Sequence, residues 1–362
     1  MFKPNYTITN NLLTYVARIE SAKAIIENSP LVPAWEAKFR DEALTRIVHF
    51  GTKIEGNDLT AEQARAVVAS NSFSPAEVEA TAGIMARDRD IQEVINYRNV
   101  IKWIDDQQKI GSIGLISQAT LVKLHELTMD KLLPSSEVGT WRDRQVVVEG
   151  AGGEGVVFRP PTAVEIPHLV REFFEWVDDR QNLNVHPLLK AAIAHYRLVY
   201  IHPFVEGNGR AARAMSTLML YTAEYDFKRF FSLEEYFDSD VGAYYRALQS
   251  VQKSLNADMT YWLEYFCYGL AIEIDKIKQK VLKLSKDFKL RQQLGQQVAL
   301  SERQIMLLEV LQNQGEITSE DAQQVLPNIS TDTILRDMKD LIKKGVIKKQ
   351  GVTKGVRYIL SE

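Results

Sequence analysis

The chain has almost no cysteine, no long apolar run and no excess of either charge. Its one cysteine, Cys267, excludes an intramolecular disulfide and is typical of a protein from a reducing compartment. The 44 basic and 47 acidic residues give a net charge of −3, so the overall charge does not favour nucleic acid or membrane surfaces. No apolar stretch reaches bilayer-spanning length, and the N-terminus lacks a signal-peptide layout. We therefore expect a cytoplasmic protein with no membrane partner.

The 362 residues suffice for two or three domains with sizeable cores. Composition and hydrophobic periodicity divide the chain into an N-terminal helical region at 1–110, a core at 111–272, a basic linker helix at 273–300 and a small domain at 301–362. Apolar residues recur at helical spacing through most of it, which predicts a mostly α-helical protein.

An apolar helix is predicted over 187–200, and Pro203 ends its helical pattern. The residues that follow this helix include most of the candidate catalytic and binding residues. A second helix is predicted from Asn208 toward Glu224. The residues around this junction read His202-Pro203-Phe204-Val205-Glu206-Gly207-Asn208-Gly209-Arg210-Ala211-Ala212-Arg213.

Four of these residues suit an anion such as a phosphate group. Gly207 and Gly209 let backbone N–H groups turn toward an anion, and the start of a helix adds its positive dipole end. Arg210 and Arg213 lie three residues apart, so they share a helix face. Each planar guanidinium can bond two phosphate oxygens at once.

Two more residues suit catalysis beside a phosphate. Glu206 offers the hard oxygen ligands that Mg²⁺ takes next to a nucleotide. His202 titrates near neutrality and can accept the proton of an attacking hydroxyl. The other histidines have no metal-ligand spacing, and we interpret them as structural or surface residues: His49, His125, His168, His186 and His195.

The stretch resembles the signature of the Fic family, HPFx(D/E)GNGRxxR, at every specified position. The resemblance implies a Fic helical core and transfer of AMP from ATP to a protein hydroxyl. By motif position it makes His202 the general base and Glu206 the Mg²⁺ ligand. It also implies that Gly207, Asn208 and Gly209 form the phosphate nest and that Arg210 and Arg213 hold the polyphosphate. Phe204 is expected to pack in the core.

Relatives that phosphorylate instead of transferring AMP carry a lysine at the second glycine of the motif. Gly209 occupies that place here, which favours the AMP-transferring orientation.

An N-terminal segment, Gly51-Thr52-Lys53-Ile54-Glu55-Gly56, resembles the family's inhibitory helix, (S/T)xxxE(G/N). Glu55 and Gly56 match its end, but Gly51 stands where Ser or Thr is expected, which weakens the assignment of a helix start here. The resemblance implies that Glu55 pairs with Arg213 and takes the space of the ATP γ-phosphate. The alternative is a surface acid after a helix predicted over 34–49.

Two β-branched runs, Gln145–Val148 and Val156–Phe158, flank a glycine-rich stretch and predict a β-hairpin. In the family such a hairpin is a flap over the active site that pairs with the target's backbone. An ordinary surface hairpin is the alternative. Tyr244 and Tyr245 either border the adenine, by stacking, or belong to the core.

Residues 301–362 predict a small winged helix with helices from Ser301, over 319–326 and over 331–344, and with strands at 345–349 and 356–360 around Thr353-Lys354-Gly355. The stretch has 9 basic and 9 acidic residues, and the candidate recognition helix carries Asp332, Asp337 and Asp340. This balance predicts weak, non-specific DNA binding at most, because phosphate contacts need clustered cations. A protein-contact or homodimer role is at least as consistent.

The function expected from the sequence is therefore AMP transfer from ATP, with Mg²⁺, to a Tyr, Thr or Ser hydroxyl of a target protein or of the chain itself, inhibited by Glu55. Two alternatives stay open: a winged-helix regulator that senses nucleotide without turnover, and removal of AMP from a modified protein.

Overall fold

A computed structural model of the chain describes residues 2–31, 33–110, 115–149, 156–293, 300–327, 329–351 and 356–361. The chain forms two compact units, one of Met1–Ser29 with Glu36–Val281 and one of Pro30–Trp35 with Leu282–Glu362. The predicted regions 1–110 and 111–272 thus lie within the first unit, apart from 30–35. Every helix within the described ranges is too short or too polar to cross a membrane.

The chain up to its long helix is helical with one short hairpin. The helices are α1 (Asn10–Asn28), α2 (Pro33–Lys53), α3 (Ala61–Ser70), α4 (Pro75–Ala82), α5 (Asp88–Ile110), α6 (Gln118–Met129), α7 (Ile166–Asp178), α8 (Pro187–Ile201), α9 (Asn208–Thr222), α10 (Leu233–Ser239), α11 (Val241–Lys253) and α12 (Thr260–Gln293). Strands β1 (Val148–Glu149) and β2 (Val156–Phe158) pair antiparallel between α6 and α7.

Helix α9 is the central helix of the first unit. It packs along α8, and α5 and α6 also lie against it. A helix that is apolar or small on all sides is expected to be buried, and nearly every residue of α9 is buried, from Ala211 and Met215 to Leu220. The charged residues of this helix, Arg210 and Arg213, lie in its first two turns and are themselves inside the protein, at 2% exposure each.

Two predicted boundaries were wrong. Helix α2 does not end at His49 but continues through Gly51 to Lys53, and beyond it Ile54 N–H still donates to the Phe50 carbonyl. Strand β1 begins at Val148 rather than Gln145. The side chain of Gln145 instead donates to the Pro160 carbonyl at 2.9 Å.

The predicted boundary between the core (111–272) and the linker helix (273–300) falls inside α12, which continues without a break to Gln293. The side chains of Lys286 and Lys289 in the predicted linker lie outside the described set. Cys267, on the same helix, is buried, and burial raises the pKa of its thiol to about 12. This fits a core residue rather than a reactive thiol.

The C-terminal part of the second unit is the expected winged helix. Its helices are α13 (Glu302–Gln314), α14 (Ser319–Val325) and α15 (Thr331–Lys343). Strands β3 (Glu316–Ile317), β4 (Ile347–Gln350) and β5 (Arg357–Leu360) form an antiparallel sheet in the order β3-β5-β4. Leu311, Ile334, Leu341 and Tyr358 pack in its core. The predicted wing, 353–355, and the flap turn, 150–155, lie outside the described residues.

Candidate active site

The motif forms a tight loop between α8 and α9. Helix α8 ends at Ile201 because His202 adopts the left-handed conformation (φ 51°, ψ 58°) and Pro203 follows. Gly207 precedes α9 with φ 77°, and a Cβ there would lie 2.6 Å from Met129 Sδ. A side chain at this position would be both strained and obstructed, so the close turn requires glycine.

Asn208 and Phe204 close this loop. The Asn208 side chain accepts from Phe204 N–H and donates to the Phe204 carbonyl, both at 2.9 Å. Phe204 is fully buried, as predicted, and its ring stacks on His125 at 3.7 Å. The Asn208 side chain thus shapes the loop, and only its backbone is left to face an anion.

His125 is a site residue that the sequence analysis left without a role. Gly139 N–H donates to its Nδ1 at 2.9 Å, so Nε2 carries the proton and donates to the Glu206 carbonyl at 3.0 Å. Burial, helped by the Arg210 charge, lowers its pKa to about 4, so the ring is neutral at pH 7. His125 therefore fixes the peptide of Glu206, although a lone histidine on α6 carried no signal of this in the sequence.

His202 is prepared to accept a proton. Its Nδ1 lies 3.1 Å from the Val199 carbonyl, which can only accept, so Nδ1 is protonated and Nε2 keeps a lone pair. Burial lowers the pKa of His202, and the Arg142 charge acts in the same direction, against the opposing effects of Val199 and Glu55. The imidazole is consequently neutral, the form that a general base needs.

Glu55 and Arg213 meet near the N-terminal end of α9. Glu55 lies just after α2, and its Oε1 is 2.8 Å from Arg213 Nη2, which also donates to the Gly51 carbonyl at 2.8 Å. Burial opposes ionisation of Glu55, but the charges of Arg213 and Arg210 outweigh it and lower the pKa of Glu55 below its ordinary value. The carboxylate is thus ionised and only 25% exposed.

Two glycines make this contact fit. A Cβ on Gly209 would lie 2.4 Å from Glu55 Oε1, and a Cβ on Gly51 would lie 2.4 Å from the buried ring of Tyr97. The departure at Gly51 from the inhibitory pattern therefore has a steric cause. Glu55 follows the end of a long helix here, and the segment does not start one.

Arg210 lies among acids without a full set of hydrogen bonds. Its Nη1 is 3.4 Å from Glu93 and its Nη2 is 3.6 Å from Glu206. Among the described residues, Nε and Nη1 find no hydrogen-bond acceptor, although both atoms are buried. Unsatisfied buried donors are costly unless a ligand takes them, which suits a phosphate at the start of α9.

The Glu206 carboxylate is partly exposed and pairs with Arg89 at the start of α5. No cluster of three or more metal-binding side chains occurs among the described residues. Mg²⁺ beside a nucleotide commonly takes one or two carboxylates and completes its shell with phosphates and water. One oxygen-donating carboxylate beside a phosphate site therefore fits this ion.

A cavity of about 790 Å³ opens beside the motif. Residues of the motif line one side, and Val148 and Phe158 of the hairpin contribute from another. Tyr244 and Tyr245 of α11 also line it. Tyr244 is nevertheless almost fully buried, with its hydroxyl 2.8 Å from His195 Nε2, so it serves the core as well.

The chain resembles known proteins over its fold and its motif. Residues 115–220 match the Fic/DOC family, and residues 303–353 match the DeoR-like helix-turn-helix domain. Protein adenylyltransferase Fic of Drosophila mojavensis is 30% identical over 191 residues, which are 51% of this chain but only 33% of that protein. The chain thus spans about a third of the length of such relatives.

Solved structures extend the likeness to the whole chain. A Fic family protein from Desulfovibrio desulfuricans G20 is 25% identical, with a TM-score of 0.66 over 99% of this chain and 98% of that one. A Fic domain containing signaling protein from Bacteroides thetaiotaomicron, at 18% identity and a TM-score of 0.56 over 76% of this chain and 98% of that one, shares the fold.

The fold and the motif loop define a helical domain with a candidate anion site, followed in the chain by a winged helix. The comparisons identify a Fic domain at residues 115–220, within a chain that is similar to a solved Fic family protein over nearly its whole length.

Proposed function

We propose that this protein transfers AMP from ATP to a hydroxyl of a target protein and that Glu55 inhibits the transfer. The observation that carries the proposal is the position of His202: its ring keeps Nε2 as a lone-pair base and lines the same cavity as Gly207, Gly209 and Arg213. Base and anion site thus face one space large enough for a nucleotide. The name of the Drosophila relative agrees with this reaction.

In the proposed reaction the target oxygen bonds the α-phosphorus while the bond from that phosphorus to the β-phosphate oxygen breaks. His202 Nε2 accepts the hydroxyl proton, and pyrophosphate leaves. Arg210 and Arg213 neutralise the polyphosphate, and backbone N–H groups at the start of α9 bond its oxygens. Bound Mg²⁺, with Glu206 as its carboxylate ligand, would supply further charge neutralisation. The residues contribute mainly position and charge.

The flap offers a means of presenting the hydroxyl. Strands β1 and β2 form an isolated two-stranded ladder beside the cavity, so a target segment can add to it as a further strand. Backbone pairing of this kind needs little from the target's side chains. A segment of a second copy of this chain qualifies in the same way, which would give self-modification.

The decisive test uses the Glu55→Gly variant with ATP labelled at either the α- or the γ-phosphate. AMP transfer labels protein from the α-label alone and adds the mass of AMP to a Tyr, Thr or Ser. Label from γ-ATP would show phosphoryl transfer instead. ATP binding without any labelled protein would favour a nucleotide sensor, and release of AMP from a modified protein that depends on Glu55 would favour the reverse reaction.

For the winged helix we propose weak, salt-dependent contact with nucleic acid through one face of α15. Asp337 is paired with Arg303 at 2.8 Å, and Asp340 with Lys344 at 2.5 Å, so both acids are engaged within the domain. The exposed residues of α15 instead include Arg336, Lys339 and Lys343, which share one face with Asp332. Residues 301–362 thus carry a basic stripe, Arg336, Lys339 and Lys343, although their numbers of basic and acidic residues are equal.

A further inference from the structure

Arg142 is a buried cation bound only to carbonyl groups in its recorded hydrogen bonds. It lies between α6 and β1 and is 2% exposed. Its Nε donates to the His202 carbonyl at 2.8 Å, its Nη1 to the Arg144 carbonyl at 3.0 Å and its Nη2 to the Pro161 carbonyl at 2.5 Å. Its backbone N–H donates to the Pro203 carbonyl at 2.9 Å.

Such a residue is expensive to bury. Buried arginines are normally paired with a carboxylate, whereas the recorded partners of the Arg142 side chain among the described residues are backbone carbonyls. Burial accordingly lowers the pKa of Arg142. Three charge-assisted hydrogen bonds offset part of this cost. An apolar side chain would fill the space more cheaply if filling were the only requirement.

The three carbonyl groups belong to two structures that must act together. Arg144 precedes β1 and Pro161 follows β2, so these two carbonyls mark both ends of the flap. The third belongs to His202, whose peptide holds the strained left-handed conformation that ends α8. One guanidinium therefore ties both ends of the flap to the peptide of the base.

We propose that Arg142 is a positioning residue that fixes the flap relative to His202. It thereby sets the distance from a hydroxyl on a flap-bound target strand to Nε2 of the base. The inference rests on the proposed function, because it concerns a protein acceptor. Water needs no flap, so hydrolysis of ATP to AMP depends on Arg142 less than transfer to protein does.

The test compares Arg142→Gln and Arg142→Lys in the Glu55→Gly background. Misplacement by about 1 Å can cost roughly 100-fold in rate, so kcat for protein transfer should fall about 10- to 100-fold in Arg142→Gln. ATP affinity by calorimetry should stay within about twofold, and hydrolysis to AMP should fall less than transfer. Arg142→Lys should restore part of kcat, because an ammonium can still donate to these carbonyls.

Arg98→Gln is the matched control. Arg98 is 1% exposed and likewise donates to backbone carbonyls, those of Val67 and Ser72, but it has no recorded contact with the motif. Arg142→Gln with the parent's transfer rate would overturn the inference. The inference would also be overturned if Arg142→Gln lost protein transfer and ATP hydrolysis equally, and if Arg98→Gln showed the same losses at the same decrease in thermal stability.

If the Glu55→Gly protein labels no target, the proposed function is refuted. Backbone hydrogen exchange would then test whether Arg142 joins the flap to His202. In Arg142→Gln, exchange should accelerate together at Val148 of β1 and at His202, and at neither in Arg98→Gln. Faster exchange at only one of these places, or at neither, would show that Arg142 does not join them.

Discussion

Glu55 Oε1 lies 2.8 Å from Arg213 Nη2, across 158 residues of sequence. The carboxylate also fills the space above Gly209, where even a Cβ would approach it to 2.4 Å. A negative group thus already holds one of the two motif arginines at the site where a phosphate would bind. In the proposed reaction, Glu55 and a nucleotide phosphate would therefore compete for the same guanidinium.

The first prediction is that Glu55→Gly increases AMP transfer and strengthens productive ATP binding. Loss of a charge-assisted hydrogen bond worth about 1.5–3 kcal/mol corresponds to roughly 10- to 150-fold. The measurement is the initial rate of protein labelling from α-labelled ATP. Glu55→Gln, which keeps the volume without the charge, should activate less.

The controls are Arg213→Ala and Asp58→Asn. Arg213→Ala should be inactive with either residue at 55, because it also removes a phosphate contact. Asp58 is exposed and pairs with Arg87, so Asp58→Asn should leave the rate unchanged. Unchanged activity in Glu55→Gly would refute inhibition by Glu55. Reduced activity would favour a direct role for Glu55, as AMP removal requires.

The second prediction is that Gly51→Ser weakens the inhibition, although Ser matches the inhibitory pattern better. The new Cβ would lie 2.4 Å from Tyr97 Cε1, and Tyr97 is fully buried with its hydroxyl on Glu234. Overpacking of this kind costs about 1–3 kcal/mol and should displace the last turn of α2. Thermal unfolding should shift down and AMP transfer should rise.

A second substitution checks the cause of this effect. Tyr97→Leu removes the obstructing ring atoms, so Gly51→Ser should destabilise the Tyr97→Leu protein less than it destabilises the wild type. Additive effects of the two substitutions would mean that the Tyr97 ring is not what excludes a side chain at position 51.

The third prediction concerns His202. His202→Ala should reduce AMP transfer roughly 10²- to 10⁴-fold while ATP still binds, because only proton removal is lost. Since the pKa of His202 is lowered, the neutral base persists into acid. The acid limb of kcat/KM in Glu55→Gly should therefore lie below about pH 6.5, the ordinary value for histidine. A limb above pH 7, or transfer near the parental rate in His202→Ala, would contradict this role.

The sequence predicts the elements of the site because they are local. The motif from His202 to Arg213 lies in twelve consecutive residues, and the helices on both sides have clear apolar periodicity. The winged helix was likewise predictable, because a capping box at Ser301 marks the start of its first helix.

The supporting residues could not be predicted, because their roles depend on distant partners. Nothing near His125 indicates that its ring stacks on Phe204, 79 positions further on. Arg142 stands in a run with Trp141 that the motif does not include, and its partners are backbone carbonyls, which carry no side-chain signal. A count of charges likewise does not show that Asp337 is paired with Arg303 within the domain.

The fourth prediction is that Arg89→Ala lowers the Mg²⁺ concentration needed for half-maximal AMP transfer by Glu55→Gly. Arg89 pairs with the Glu206 carboxylate and would therefore compete with a Mg²⁺ ion that this carboxylate holds. Both side chains are substantially exposed, at 49% and 39%, and exposed pairs are worth about 0–1 kcal/mol. The decrease should therefore be only two- to fivefold.

Arg87→Ala is the matched control for Arg89→Ala. Arg87 stands one residue before α5 and pairs with Asp58 and Asp90 instead. An equal effect of Arg87→Ala would indicate general electrostatics, and no shift in Arg89→Ala would show that the pair does not compete with Mg²⁺.

The last prediction is that the whole protein binds duplex DNA weakly, without sequence preference, and through α15. Non-specific contacts of this kind give Kd values of roughly 10⁻⁴–10⁻⁶ M that weaken steeply as salt rises. Joint replacement of Arg336 and Lys339 by Glu should reduce affinity at least tenfold and flatten the salt dependence, because both side chains are exposed on the basic stripe.

Arg357→Glu is the control, since Arg357 lies on β5 and pairs with Glu316. Fluorescence anisotropy with a labelled duplex measures each affinity. Equal losses in both proteins would show that α15 is not the contact. One sharp motif from a random-sequence selection would instead show specific reading of bases, which this stripe of arginine and lysine alone does not predict.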